Sequence, residues 1–175
     1  YELMPYIYAQ AKESSQKGLP MMRALFVEYP NDPGAWLVDN EYLFGSSILV
    51  APLFEEVTER DVYLPEGTWI DYQTKKVYQS GWHKIKAGEV PIVVLVKDGT
   101  ALPHIGLAQS TKDMDWSKLT LKVYASDKTT SATAKVFLPN DTAVQEIKVT
   151  KNGNNFDVTA NPLNGKTTFK TEWIK

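Results

Sequence analysis

Hydrophobic positions change their period once along this chain. Over residues 1–17, Met4, Ile7, Tyr8 and Ala11 fall at the i, i+3, i+4, i+7 spacing of one helical face. Pro5 lies in the first turns, where a helix tolerates a residue without an N–H donor. Gly18 after Lys17 is a fitting stop. A helix this short is marginal in water, so its stripe needs a cover, by self-association or by docking onto a neighbouring β-sandwich.

After Gly18 the pattern is that of strands. Residues 20–30 are rich in strand formers and end at Pro30, and 31–36 form a turn cluster. The run Ile48 to Ala51 is continuous and apolar, as in strands covered on both faces. Residues 60–79 read as two strand-like runs around a Pro65–Gly67 turn, with a third segment past Thr74. Residues 89–105 carry the most apolar strand signal, interrupted by Asp98–Gly99, a hairpin-type dipeptide. A polar, irregular stretch at 106–118 reads as a linker. Beyond it, 119–125, 131–138, 144–161 and 166–174 alternate apolar and polar like half-exposed antiparallel strands. Asn152-Gly153 and Asn164-Gly165 supply turns at sandwich-like spacing. The expected fold is mainly β: one N-terminal helix followed by two antiparallel β-sandwich-like domains. The expected boundaries are 1–19, 20–105, a linker at 106–118, and 119–175, a distal β domain whose completeness is left open.

Composition narrows the function classes. With 175 residues, 43% hydrophobic and 11% aromatic, the chain can bury one or two cores. The net charge of −2 is spread out, with no basic run, which argues against nucleic acid or an anionic membrane as partner. No stretch approaches the roughly 18 consecutive apolar residues of a membrane span. There are no cysteines and two histidines, so disulfides, thiolate chemistry and a multi-histidine metal cage are not expected. The opening residues lack an initiator Met and a signal-peptide pattern, and the expectation is of the cut end of something longer.

Candidate chemistry is sparse. Glycoside hydrolysis needs two acids about 5–10 Å apart. Glu28, Asp32, Asp39, Glu41, Asp61 and Asp71 are available, the first four in a segment with turn chemistry, and no pair stands out by spacing. There is no G-x-S-x-G elbow, both histidines lie in turn-like contexts, and the glycine-rich stretch at 99–106 lacks the Lys of a phosphate loop. His83 reads as a surface or hairpin residue. Asn140-Asp141-Thr142 matches a glycosylation sequon, a pattern common by chance. Aromatics cluster at Trp69, Tyr72, Tyr78 and Trp82. Exposed, Trp69, Tyr72 and Trp82 would form a sugar-stacking platform; buried, they are core. No residue is assigned to catalysis, to a cofactor or to a metal.

Several phrases occur together: "LMPYIYAQAKESSQKGLPMMRALFVEYPNDP", "YLFGSSILVAPLF", "VYLPEGTWIDYQT" and "PIVVLVKDGTALP". In this order and spacing, residues 2–103 resemble the C-terminal part of glycoside hydrolase family 31, which contains α-glucosidases and α-xylosidases. Residues 119–175 share only its β character. The resemblance implies that helix 1–17 is the last helix of a truncated (β/α)8 catalytic barrel, 20–103 a proximal β-sandwich and 119–175 a distal one. It implies hydrolysis of α-glycosidic bonds with retention, by an Asp nucleophile and an Asp general acid upstream of this chain. No residue here matches either motif, so none is carried over. Arg23-Ala24-Leu25-Phe26 departs from the "RPLF" of many α-glucosidases, and Val96 to Pro103 departs from "VRxGSIIP". "PMMRA" with a later "GWHKI" looks more like the α-xylosidase branch.

The expectation is a non-catalytic C-terminal fragment of a retaining α-glycosidase. Its partners would be the rest of the parent enzyme and, through it, an oligosaccharide, with a homo-oligomer as a further possibility. "LPEGTWIDYQT" would be a scaffolding hairpin, with Trp69 and Tyr72 packed inside or against the barrel. The competing readings are a carbohydrate-binding module built on Trp69, Tyr72 or Trp82, and a pure oligomerisation domain. Localisation is open.

Overall fold

The computed structural model describes residues 1–161, 163 and 165–174. The chain is mainly β: one long N-terminal helix, α1 (Met4–Lys17), and two six-stranded sheets in sandwich-like domains. It divides into two compact units, Pro20–Asp98 and Tyr1–Leu19 with Gly99–Lys175.

The unit Pro20–Asp98 opens with a two-residue strand, β1 (Met22–Arg23), and two short helices, α2 (Leu25–Glu28) and α3 (Pro33–Leu37). Helices α2 and α3 thus replace part of the strand expected over 20–30 and most of the turn expected over 31–36. Local chemistry explains the second: the Asp32 carboxylate accepts the Gly34 N–H at 2.9 Å and Pro33 fills the first helical position. Then follow β2 (Tyr42–Phe44), β3 (Ile48–Pro52), β4 (Glu59–Asp71), β5 (Val77–Lys86) and β6 (Ile92–Lys97). They pair antiparallel in the order β1-β2-β3-β6-β4-β5. Leu25, Leu49, Val62, Leu64, Trp69 and Leu95 are central to the core.

"LPEGTWIDYQT" lies in this unit, and Pro65–Gly67 is not its hairpin. β4 runs through it and keeps the same partner: Leu64 pairs with Gly81 and Thr68 with Gln79, so three residues of β4 bulge against one of β5. Gly67 takes φ +129°, and the Pro65 carbonyl accepts the indole N–H of Trp69 at 3.0 Å. The hairpin comes later, at 71–76. Buried Asp71 accepts the N–H of Gln73 at 2.8 Å and of Thr74 at 2.7 Å, an Asx-type turn.

The second unit holds β7 (Thr100–Ile105), β8 (Lys118–Tyr124), β9 (Ser131–Val136), β10 (Gln145–Asn152), β11 (Asn155–Ala160) and β12 (Thr168–Ile174), ordered β11-β10-β9-β7-β8-β12. Asp98–Gly99 is thus no hairpin: β6 and β7 belong to different sheets, and the units divide there and not at 106–118. Residues 106–118 instead carry a short 3₁₀ turn, Thr111–Asp113, and the start of β8. Leu121, Val123, Ile147, Val149 and Phe156 fill the core from alternate positions. The sheet is not wholly antiparallel as expected, because β12 runs parallel to β8 and β7 meets β9 in parallel. Asn152-Gly153 closes the β10–β11 hairpin with Gly153 at φ +58°. Asn164, of the second expected turn, lies outside the described residues.

Helix α1 belongs to this second unit and lies over β7 and β9. It is capped by Gly18 in the left-handed region, as expected. Its buried side is Pro5, Tyr6, Ala9 and Gln10, not the predicted stripe. Tyr8 and Ala11 are exposed, and Met4 is only partly covered. The helix turns this way because Ala9 permits close approach and the sheet offers polar partners. Lys135 Nζ meets the two Glu13 carboxylate oxygens at 2.8 and 2.9 Å, and Ile105 N–H donates to the Glu2 carbonyl at 2.9 Å. Among the described residues no helix is long and apolar enough to cross a membrane.

Candidate functional site

The six acids considered for catalysis all lie in the unit Pro20–Asp98, and most are engaged in its fold. Glu28 forms an ion pair with Arg23. Asp32 caps α3 and accepts the Tyr63 hydroxyl at 2.6 Å. That hydrogen bond pushes the phenol up to about 12. Asp71 holds the hairpin. Asp39 and Asp61 are exposed.

Glu41 differs from the others. Its carboxylate is enclosed: the side chain has no exposed surface, Oε1 accepts the Tyr63 N–H at 2.8 Å, and Oε2 has no partner. Arg60 Nη2 stands 3.9 Å from Oε1 but spends its other guanidinium bonds on the carbonyls of Asn40 (3.0 Å) and Pro52 (2.7 Å). Burial outweighs these favourable contacts and pushes the Glu41 carboxyl up to about 7. Arg23 lies on the same shallow pocket, with Met22, Asp39, Tyr42 and exposed Phe54. Its Nε is buried without a partner. This corner joins a cation and an acid near their limits of burial. Two backbone elements supply them, β1 and the residue just before β2.

The predicted aromatic platform does not assemble. Trp69 is fully buried and its indole N–H is satisfied by the bulge, so it is core. Tyr72 sits half-buried at the hairpin with Lys75 Nζ 5.3 Å from its ring centroid. Trp82 is 59% exposed on the edge strand β5, tilted against Tyr63 at 5.3 Å. From Val77, at the hairpin end of β5, to Trp82 is about 16 Å at ~3.3 Å per residue. The two partly exposed rings are therefore not neighbours.

Neither histidine lies in a turn. His83 is on β5, its Nε2 2.7 Å from the Gln79 carbonyl, and His104 is buried on β7 with Nδ1 3.0 Å from the Leu102 carbonyl. Burial holds the His104 imidazole below its ordinary range. Among the described residues no group of three His, Cys, Asp or Glu side chains is placed to hold a metal ion. Asn140 of the sequon is exposed at φ +74°.

Two features escaped the sequence reading. One is the Arg23–Glu41 corner. The other is a surface pair on α2 and α3: Phe26 and Trp36 stack at 4.5 Å and 14°, beside Leu37, which is 81% exposed. Ten residues separate the two rings in sequence, and no periodic signal links them.

Comparison with known proteins accounts for the segment that holds these features. The family model described as the glycosyl hydrolase family 31 C-terminal domain matches residues 18–102. An α-glucosidase 2 of Bacillus thermoamyloliquefaciens is 33% identical over 129 residues, 73% of this chain and 16% of that protein. The α-xylosidase XylQ of Lactiplantibacillus pentosus is 35% identical over 123 residues, 65% of this chain and 16% of the relative. A family 31 dextranase from Flavobacterium johnsoniae, complexed with glucose, superimposes with a TM-score of 0.78 at 29% identity, over 90% of this chain and 21% of its own. The chain thus spans about a sixth to a fifth of the length of these proteins. It belongs to the C-terminal part of glycoside hydrolase family 31, with that family's C-terminal domain at residues 18–102.

Proposed function

We propose that this chain is a non-catalytic C-terminal portion of a retaining α-glycosidase, that its role is to support the catalytic barrel, and that the parent is an α-xylosidase. The observation that carries the reading is the match of residues 18–102 to a C-terminal domain, in a chain that corresponds to a small share of each relative's length. The fates of the acids support it: Glu28, Asp32 and Asp71 are committed to an ion pair, a helix cap and a hairpin. The xylosidase branch is favoured by the "PMMRA" and "GWHKI" segments, and an α-xylosidase and an α-glucosidase are both among the relatives. The parent's substrate would be an oligosaccharide with a terminal α-linked xylose. Kinetics of the parent on aryl α-xyloside and aryl α-glucoside decide the branch. A higher kcat/KM on the xyloside is expected, and a preference for the glucoside would keep the family and overturn the branch.

The carbohydrate-binding reading retains one observation, the exposed ring of Trp82. With Trp69 buried and Tyr72 at the far end of the hairpin, it has a single ring. The self-association reading loses its first motive, since α1 is docked on its own unit.

A further inference from the structure

We propose that α2 and α3 form the face by which this chain docks on the remainder of its parent polypeptide, with the Phe26–Trp36 stack and Leu37 at its apolar centre. The inference rests on the supporting role proposed above and names the surface that performs it. In the unit Pro20–Asp98, Met22, Phe26, Trp36 and Leu37 are all exposed within one short segment. Exposed large apolar side chains are ordinary one at a time; several together on adjacent short helices mark a contact surface. Trp36 is 59% exposed, yet its indole N–H is already bound to the Pro30 carbonyl at 2.9 Å and its face to Phe26. Such a ring is held in place before any partner arrives, as the anchor residues of interfaces are.

Charge describes the partner further. A cleft next to the stack is lined by Glu28, Tyr29, Asn31, Asp32 and Glu66. Glu28 has Arg23 for a partner, and Asp32 spends its Oδ1 on Gly34 and Tyr63. Glu66 and the second carboxylate oxygen of Asp32 remain at this rim, and they suit a Lys or Arg side chain. The partner surface is apolar with a flanking cation. Its source is the parent itself, because relatives sharing this domain carry about four-fifths or more of their length outside the matched region. A second copy of this chain is the rival occupant.

The test has three arms. Trp36→Ala and Leu37→Ser are made in the full-length parent, with Trp82→Ala as a surface control. Thermal unfolding and hydrogen exchange over residues 22–37 are then measured, and the isolated chain is sedimented over a range of concentrations. The expected result is strong protection of 22–37 in the parent and weak protection in the isolated chain. Trp36→Ala should lower the parent's Tm by several degrees, Trp82→Ala should not, and the isolated chain should be monomeric. Equal protection of 22–37 in both, with neutral Trp36 and Leu37 variants, would overturn the proposed face. If deletion of 20–98 then still unfolds the parent, the supporting role survives without it; a stable, active deletion would sink that role as well. A dimer of the isolated chain broken by Trp36→Ala would assign the face to a second copy and overturn the proposal.

Discussion

At the scale of single residues, Glu41 is a carboxyl that the fold encloses without a full set of partners. Its carboxyl titrates near 7 because burial disfavours the ionised form more than Tyr63 N–H and Arg60 favour it. The folded state therefore holds a proton that the unfolded chain has released, across the window from the ordinary value of 4.5 up to about 7. Stability is highest below this window and falls as pH rises through it, by at most about 3 kcal/mol, and is then flat. Glu41→Gln keeps an acceptor for the Tyr63 N–H and has no charge to bury. From pH 5 to pH 8 the denaturation midpoint of the wild type should fall relative to that of Glu41→Gln, which shares the upward trend set by buried His104, and the variant should be the more stable at pH 8. Parallel curves would show that Glu41 is ionised without strain. The residue was visible among the acids of the sequence. Its environment was not, because Arg60 and Tyr63 reach it from β4, some twenty residues along the chain.

At the scale of elements, legibility followed length. The four alternating runs after residue 118 were found as β8 to β11 and β12 because a half-exposed strand writes its burial at period two. Helices α2 and α3 have four and five residues, too few for a helical period to show. Pro-Glu-Gly looked like a turn by composition, but a bulge uses the same residues and leaves the strand running. The parallel pairing of β8 with β12 has no local signal at all, since it depends on the path of the strands between them. The Asp71 carboxylate braces the true β4–β5 hairpin beside two backbone bonds, Asp71 N–H to the Lys76 carbonyl and Lys75 N–H to the Asp71 carbonyl, so Asp71→Ala should cost about 2 kcal/mol by removing its two side-chain acceptor bonds in a buried setting. Asp71→Asn should keep most of that stability, since its amide oxygen can still accept. Chemical denaturation of the two variants checks this. Equal losses would mean that the charge, and not the Asx geometry, holds the turn.

At the scale of the whole molecule, two hydrophobic clusters with no residue in common occupy the two units. Leu121 is fully buried in one of them. Leu121→Ala should destabilise its own unit by roughly 2–5 kcal/mol. Amide exchange should then quicken in β7 to β9 while β3, β4 and β6 keep their protection. Loss of protection in both units together would show a single cooperative core. The family was legible because four phrases of residues 2–103 occur in one order. Residues 119–175 could be read only as β structure, and the family model likewise ends at residue 102.

The central claim is that this chain supports catalysis without performing it. The direct measurement is release of aryl alcohol from aryl α-xyloside and aryl α-glucoside by this chain alone, at high protein concentration and across pH 5 to 8, with and without Glu41→Gln. The account predicts no turnover above the uncatalysed rate for either protein on either substrate. Turnover that disappears with Glu41→Gln would contradict it, and would make the enclosed carboxyl beside Arg23 and Asp39 a catalytic acid.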